Sequence, residues 1–369
     1  LAHIDAHCAP LALPALERLG LGNIIPLTQI AVQEAPLAQV TKLAEKSKGK
    51  DTTTGHWEMA GVVLNTPFPT YPDGFRDELV NAFIEKTGCK GILGNKAASG
   101  TKILEELGEE HLKTGYPIIY TSADSVWQIA THTDVTSIDT LYEWCEIARE
   151  ILRGEDELSR VIARPFEGDA ASGFKRIGYK RRDYAVPPPE VGNILVELES
   201  SGAHVIGVGK IKDIFCDVGI THSIKTTDNR HGMQVMMDLV NRKTLLPDYA
   251  VVDGVAASTD RQLIFNNLVE TDMNYGHRRN VVGYGRELEA IDKELQPFLD
   301  AMTDDDLLII TGDHGCDPTA PGSDHTREYV PYISYSPSQE GKVLSLQTGF
   351  DTIGKVCQAW LDGSPLELV

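Results

Sequence analysis

The sequence predicts an α/β protein: a mostly parallel sheet with helices on both faces, interrupted by a smaller α/β module. Three observations carry this. After Pro187-Pro188-Pro189 short apolar runs alternate with longer runs of helical period, the pattern of parallel strands joined by crossover helices. Residues 66–76 gather Pro67, Pro69, Pro72 and Gly74, and such a cluster marks a crossover between modules. Two apolar runs, Leu263-Ile264-Phe265 and Leu307-Leu308-Ile309-Ile310, each lead into carboxylates and imidazoles. That is where open α/β sheets place their chemistry. The 369 residues suffice for two domains and a large core.

Taken in order, Leu13, Leu16 and Leu19 fit a short helix that Gly20 ends. Leu37, Val40, Leu43 and Ala44 fit a helical period over residues 37–46. The stretch from Gly49 to Glu58, with Asp51, Thr52, Thr53 and Thr54, reads as a helix N-terminus. Free N–H groups there favour a phosphate or a developing anion. A hydroxyl there can be a nucleophile if a metal lowers its pKa, although three threonines can also simply cap a helix. Leu79, Val80, Phe83 and Ile84 predict a helix ended at Gly88; Ile103, Leu104 and Leu107 predict another ended at Gly108. Between them, Gly94 to Thr101 lacks the spacing of a nucleotide loop and is expected to be a turn. Ile118-Ile119-Tyr120 predicts a strand leading into Ser122-Ala123-Asp124. Leu141, Trp144, Cys145, Ala148, Ile151 and Leu152 predict an amphipathic helix, and Val161-Ile162-Ala163 a strand between Arg160 and Arg164.

Beyond the triple proline, Val205 to Val208 reads as a strand ending at Lys210, followed by a helix near 232–242. The strand before Asp272, a helix near 286–301 and the strand before Asp313 come next. Tyr332-Ile333-Ser334-Tyr335 and a helix near 352–361 close the pattern.

Composition is that of an ordinary soluble domain, 41% hydrophobic and 24% charged. No apolar run approaches the ~20 residues that span a bilayer. The six cysteines form no CxxC pair and read as reduced thiols of a cytoplasmic protein. Net charge is −20, which argues against nucleic acid or an anionic membrane as a partner. A small anionic substrate would need a local basic pocket; Lys175-Arg176, Lys180-Arg181-Arg182, Lys210, Arg278-Arg279 and Arg327 are candidates.

The chemistry-bearing residues fall in two groups. One holds Asp272 and His277, the other Asp313-His314 and Asp324-His325. One Asp-His pair after a strand is often only a turn, but two clusters supply enough oxygen and nitrogen for two divalent ions.

GKDTTTGHWE (49–58), YTSADS (120–125), RVIARPF (160–166), VGKIKDI (208–214), NLVETDMNYGHRRN (267–280), TGDHGCDP (311–318) and DHTREYVP (324–331) run through nearly the whole chain. With these stretches, in this order, the chain resembles the phosphopentomutase family of the alkaline phosphatase superfamily. The resemblance implies an alkaline-phosphatase-like metal-binding catalytic core (1–65 and 190–369) with a cap inserted at 66–189. It turns residues 37–46 into a core strand. It implies Thr52 as phosphoacceptor lying between two manganese ions, other divalent ions being possible. Asp313 and His314 would bind one ion; Asp272, His277 and His325 would bind the other. Asp124, Arg160, Arg176 and Lys210 match sugar-phosphate contacts. The implied reaction, part of nucleoside catabolism, interconverts (deoxy)ribose 1-phosphate and 5-phosphate through phosphothreonine and a bisphosphate. A sugar bisphosphate would be the activator. The cap is expected to keep water from the phosphothreonine. A monomer is the working expectation, and the sequence leaves oligomeric state open.

Two departures stand out. Family members open with an apolar strand ending in an Asp that completes the Asp313–His314 site, about thirty residues before this chain starts. His3-Ile4-Asp5 aligns instead with the helix after that strand, so Asp5 does not replace it, and the intact protein is expected to carry the strand. Leu246-Pro247 through Ser258-Thr259, near 245–262, look like an insertion. Two other readings remain open at this point. A cofactor-independent phosphoglycerate mutase-like enzyme shares the core but uses a serine where this chain has Thr52. A non-catalytic phosphosugar-binding protein would fit the loss of a metal ligand.

Overall fold

The computed structural model describes all residues except 123, 242–260, 323, 365–367 and 369. The expected insertion near 245–262 therefore lies outside the described residues but for its last two positions. The chain forms two compact units, Leu1–Thr66 with Pro187–Val369, and Pro67–Val186.

In chain order, the first unit opens with α1 (Ala2–His7), α2 (Pro14–Leu19), α3 (Leu21–Ile24), β1 (Gln39–Ala44) and α4 (Thr52–Met59). The second contains α5 (Asp77–Thr87), β2 (Leu93–Ala97), α6 (Gly100–Thr114), β3 (Ile118–Thr121) and β4 (Val126–His132). It continues through α7 (Ile138–Ile151), β5 (Arg160–Asp169), β6 (Gly173–Arg176) and β7 (Arg182–Ala185). The first unit resumes with α8 (Ile194–Ser200), β8 (His204–Val208), α9 (Ile211–Phe215), β9 (His222–Ile224), α10 (Asn229–Val240) and β10 (Gln262–Asn266). A π-helical turn at Thr271–Gly276 precedes α11 (Val281–Ala301), β11 (Leu308–Thr311) and β12 (Val330–Tyr335). Then come β13 (Lys342–Val343), β14 (Gln347–Thr348) and α12 (Asp351–Leu361).

In the first unit, β10, β8 and β9 form a parallel sheet, as the alternation after the triple proline predicts. A second sheet runs β11-β12-β1-β13, with β14 also on β1. In it β12 is antiparallel to both β1 and β11. Residues 37–46 hold a strand, not the helix their spacing suggested. The reason is two-sided burial: Val40 packs into the cluster of Leu16, Leu19 and Ile333, while Leu43 packs with Met59, Tyr332 and Phe350. Apolar residues three apart on opposite faces of a covered strand imitate a helical period. Asp5 sits in α1, 3% exposed, accepting from Thr28 N and Oγ1 and from Gln29 N. It therefore holds the turn at 28–29 to α1. β10 and β11 are edge strands that share no ladder among the described residues, and they carry residues of only intermediate burial.

In the second unit the sheet runs β2-β3-β4-β5-β6, with β7 on β5. α5 and α7 cover one face through Leu79, Phe83, Leu141 and Cys145 against Trp127, Ile129 and Val161. α6 covers part of the other through Ile103 and Leu104 against Ile118, Tyr120 and Phe166. Two expectations fail here. α6 does not end at Gly108; it runs to Gly115, at φ +72°. Gly108 is an interior glycine because a Cβ there would lie 2.6 Å from the Phe174 ring. The stretch from Gly94 is not wholly a turn either. It forms β2, with a register shift between Gly94 and Lys96 and Asn95 at φ +52°, and that bulge erases the alternation by which a strand is recognised.

All six cysteines are free. No helix among the described residues is long and apolar enough to cross a membrane.

Candidate metal centre

The centre begins at the N-terminus of α4. Asp51 is the N-cap, its carboxylate accepting from Thr54 N at 3.1 Å and from Thr54 Oγ1 at 2.6 Å. Thr53 and Thr54 are buried, 7% and 0% exposed. Thr52, at the first helical position, is half-buried, and its Oγ1 lies 3.5 Å from His314 Nε2. The sequence lets α4 come this close to the end of β11 because residue 55 is glycine. A Cβ there would lie 1.6 Å from the Asp313 carbonyl oxygen.

The loop after β11 delivers Asp313 and His314. His314 is 7% exposed, and its Nδ1 donates to the Gly315 carbonyl at 3.0 Å. That hydrogen bond fixes the tautomer in which Nε2 keeps its lone pair. His314 Nε2 then faces both Thr52 Oγ1 and Asp313 Oδ2, the latter at 3.4 Å. On the other side of the carboxylate, His56 Nδ1 stands 3.3 Å from Asp313 Oδ2 and 2.8 Å from the Thr52 carbonyl. Burial pushes the Asp313 carboxyl up, but His314 and His56 outweigh it and hold the group well below the usual carboxylate range.

The second group assembles around Asp272, in the π-helical turn after β10. His325 Nδ1 donates to the Lys50 carbonyl at 3.1 Å, which turns Nε2 toward Asp272 and His277. That Nε2 is 3.3 Å from Asp272 Oδ1 and 3.2 Å from His277 Nε2. His277 Nε2 is 3.3 Å from Asp272 Oδ2. Burial raises the Asp272 carboxyl, but hydrogen bonds from His277 and His325 overcome this and hold it far down. The His314 and His325 rings stack with centroids 3.6 Å apart, which joins the two groups. Asp272, His314 and His325 offer one ligand atom each, all within 4.8 Å of one another.

This donor set fits divalent cations. Two imidazole nitrogens at 3.2 Å with a carboxylate oxygen beside each form an arrangement satisfied by a shared cation. An ionised carboxylate and an unprotonated imidazole nitrogen are the states that ligate metal.

Several contacts escape the sequence reading. His56 orders Asp313 and is 2% exposed, stacked on Phe265; its place in the Gly-His-Trp-Glu run was the available signal. Asn267 Nδ2 lies 3.3 Å from His56 Nε2. The Cys316 thiol donates to Asp272 Oδ1 at 3.6 Å and is pushed up to about 12 by burial and the neighbouring carboxylates. Gly276 makes room for it, since a Cβ there would lie 2.2 Å from Cys316 Sγ.

The predicted sugar-phosphate contacts are placed unevenly. Lys210 follows β8, and Asn267 follows the neighbouring parallel strand β10, at the same end of the sheet. In the other unit Arg160 lies 3.7 Å from Asp124 and 3.6 Å from Asp183, so its charge is shared between two carboxylates. Arg176 ends β6. Other basic candidates are structural. Arg327 donates to the carbonyls of Ser47 and Gly49, and Arg181 pairs with Asp183 at 2.6 Å.

Residues 194–359 match the model of the metalloenzyme superfamily. The chain is 51% identical over 338 residues to a phosphopentomutase of Caldanaerobacter subterraneus subsp. tengcongensis, covering 91% of this chain and 80% of that protein. The phosphopentomutase of Syntrophotalea carbinolica is 49% identical, with 92% of this chain and 81% of that protein covered. The chain belongs to the phosphopentomutase family. The similarity extends to a Clostridium novyi phosphopentomutase, 44% identical over 99% of this chain and 89% of that protein. Membership makes this phosphopentomutase-family chain an isomerase, and the superfamily match agrees with divalent-metal binding. Its carboxylate and imidazole donors come from the loops after β10 and β11, and α4 presents its threonine to them.

Proposed function

We propose that the chain interconverts ribose 1-phosphate and ribose 5-phosphate, and the deoxyribose pair, with Thr52 as phosphoacceptor and a sugar bisphosphate as intermediate and activator. The observation that carries this is the position of Thr52. Of three adjacent threonines it is the one whose hydroxyl faces His314 Nε2, at 3.5 Å, while Thr54 is committed to capping.

Asp313 and His314 would hold one divalent ion; Asp272, His277 and His325 would hold the second, manganese being our choice. When bound, the pair neutralises phosphoryl oxygens and lowers the pKa of a bound hydroxyl. Thr52 in its phosphorylated form gives its phosphoryl group to the free hydroxyl of the sugar monophosphate. The Oγ–P bond breaks, a sugar O–P bond forms, and the hydroxyl proton is released. The resulting bisphosphate returns its other phosphoryl group to Thr52 Oγ, and a proton is restored to the freed sugar oxygen. The N–H groups opening α4 orient the phosphoryl oxygens. Asp51, by holding Thr54, fixes the helix end that aims Thr52. His56 holds the Asp313 carboxylate in its ligating position. The sugar would be held by Asp124, Arg160, Arg176 and Lys210, through carboxylate to hydroxyl and cation to phosphate.

The test is incubation with manganese and ribose 1-phosphate while ribose 5-phosphate and free phosphate are followed together. Ribose 5-phosphate without comparable free phosphate is expected. Free phosphate as the main product would indicate a phosphatase, and no turnover of either kind would overturn the proposal.

A further inference from the structure

The end of the β10-β8-β9 sheet opposite Lys210 and Asn267 carries a pair of histidines that the proposed reaction does not use. β8 opens at His204 and β9 at His222. Ile206 of β8 is in register with His222 in a parallel ladder, so the two share a face. His204, two residues before Ile206, points to the same face. The apolar part of that face belongs to Ile206, Val208 and Ile224, packed with Val235 and Leu239 of α10. Both histidines are half-buried at its edge. Lys210 and Asn267 follow the other ends of β8 and β10. The strand from His204 to Val208 alone spans about 13 Å, which keeps the pair apart from the Asp272 and Asp313 groups.

The two rings lie beside each other without a polar partner. Their centroids are 5.4 Å apart at an interplanar angle of 34°. Among the described residues neither ring makes a hydrogen bond or an ion pair. The nearby Thr221 hydroxyl is committed elsewhere, accepting from Val205 N at 2.8 Å and donating to the Val205 carbonyl at 2.9 Å. Burial lowers the His222 pKa, and His204 beside it lowers it further, so the ring is neutral at physiological pH and offers a nitrogen lone pair. An imidazole binds a zinc-class ion at about 2.1 Å, which puts the ring centroid about 3 Å from the metal; two such rings at a tetrahedral angle stand about 5 Å apart. The 5.4 Å separation therefore matches two ligands of one ion with no movement of the backbone. Among the described residues no carboxylate or thiol joins the pair at ligating distance.

We infer that His204 and His222 form a cation site apart from the metal centre, for a borderline divalent ion of the zinc, nickel and copper class, and that the ion ties β9 to β8. Two imidazoles without a carboxylate suit such an ion and disfavour manganese, which prefers oxygen ligands. Water completes the coordination on the half-exposed side. β9 has three residues and lies at the edge of its sheet, so a shared ion adds a side-chain link to a short backbone ladder. An ion that binds only the folded chain stabilises it by mass action. The site uses neither Thr52 nor a sugar phosphate, so it stands or falls independently of the function proposed above.

The test uses the full chain. Zn2+ binding is counted by equilibrium dialysis for wild type, His204→Asn and His222→Asn. Each variant should hold one Zn2+ fewer than wild type, because losing one of two protein ligands weakens the ion about tenfold or more. Zn2+ should raise the Tm of wild type more than that of either variant, while Mn2+ stoichiometry is alike in all three. A second measurement needs no variant. Zn2+ should protect both His204 and His222 of wild type from diethylpyrocarbonate, mapped by mass spectrometry, and Mn2+ should protect neither. Equal Zn2+ stoichiometry in the three proteins overturns the inference, as does loss of the ion in one variant only. Either ring modified as fast with Zn2+ as without it overturns the inference too, and this decides alone if a variant fails to fold. Protection by Mn2+ equal to that by Zn2+ overturns the assigned class of ion.

Discussion

Gly55→Ala isolates the feature on which the centre's geometry depends. The added Cβ would lie 1.6 Å from the Asp313 carbonyl oxygen and 2.6 Å from its carbonyl carbon. Both are backbone atoms at the end of β11, so no side-chain rotation relieves the overlap. α4 and the 313 loop must separate by roughly 1.8 Å to regain ordinary contact. Thr52 lies less than one turn away on the same helix, so its present 3.5 Å to His314 Nε2 lengthens with that movement. A misplacement of about 1 Å at a reacting group can cost about a hundredfold in rate, and the overpacking costs about 1–3 kcal/mol of stability. The assay is steady-state turnover of ribose 1-phosphate with saturating manganese, alongside thermal unfolding. Gly178→Ala is the control, because nothing lies within 4 Å of a Cβ at that position. The expected result is a fall in kcat of about a hundredfold for Gly55→Ala and little change for Gly178→Ala. A Gly55→Ala protein that is folded and turns over at the wild-type rate would refute the close approach of α4 to Asp313 as the source of Thr52's position.

Other outcomes follow from individual contacts. His325→Ala removes the Nε2 shared with Asp272 and His277, and metal analysis should show one ion weakened and the other retained; full two-ion occupancy with normal turnover would contradict the ligand set. Glu45 is pushed up to about 8 by burial, despite Arg327 at 3.1 Å. Because the folded pKa lies above the unfolded one, its contribution is complete below about pH 4.5 and is lost as pH rises toward 8. Glu45→Gln should therefore flatten the fall of unfolding free energy between pH 6 and 8, by about 1–3 kcal/mol; an unchanged slope would remove Glu45 as its cause. Arg176→Ala should reduce kcat/KM for pentose phosphates by about tenfold to a hundredfold and spare cleavage of a small aryl phosphate. Equal losses on both would argue against sugar-phosphate recognition.

The parts of the fold that were legible in the sequence are those where one face is buried and the other wet. The helix from Ile138 to Ile151 repeats its apolar residues at helical spacing. The strands before Asn267 and Gly312 were legible as short apolar runs. β1 was misleading because two different clusters bury its opposite faces, and β2 was hidden because Asn95 and a bulge break its alternation. Gly108 and Gly115 show that a glycine ends a helix only where the backbone turns left-handed. Gly115 does so at φ +72°, whereas Gly108 makes room for Phe174. At the centre the ligating residue types were visible as clusters, but their convergence needed the fold. The His314–His325 stack joins segments whose approach no spacing encodes. His56 as a partner of Asp313, and Cys316 as a donor to Asp272, are likewise products of tertiary packing.

The most direct test is the location of the phosphate. The full chain is loaded with manganese, incubated with a pentose or hexose bisphosphate, and digested, and the peptide spanning Lys50 to Glu58 is mapped by mass spectrometry. Thr54 Oγ1 is held by Asp51 at 2.6 Å and Thr53 is 7% exposed, while Thr52 faces His314. Phosphate on Thr52 alone is the expected result, absent in Thr52→Ala and retained on residue 52 in Thr52→Ser. Phosphate on Thr53 or Thr54, or a Thr52→Ala protein that still interconverts the pentose phosphates, would contradict the assignment of Thr52 as the phosphoacceptor.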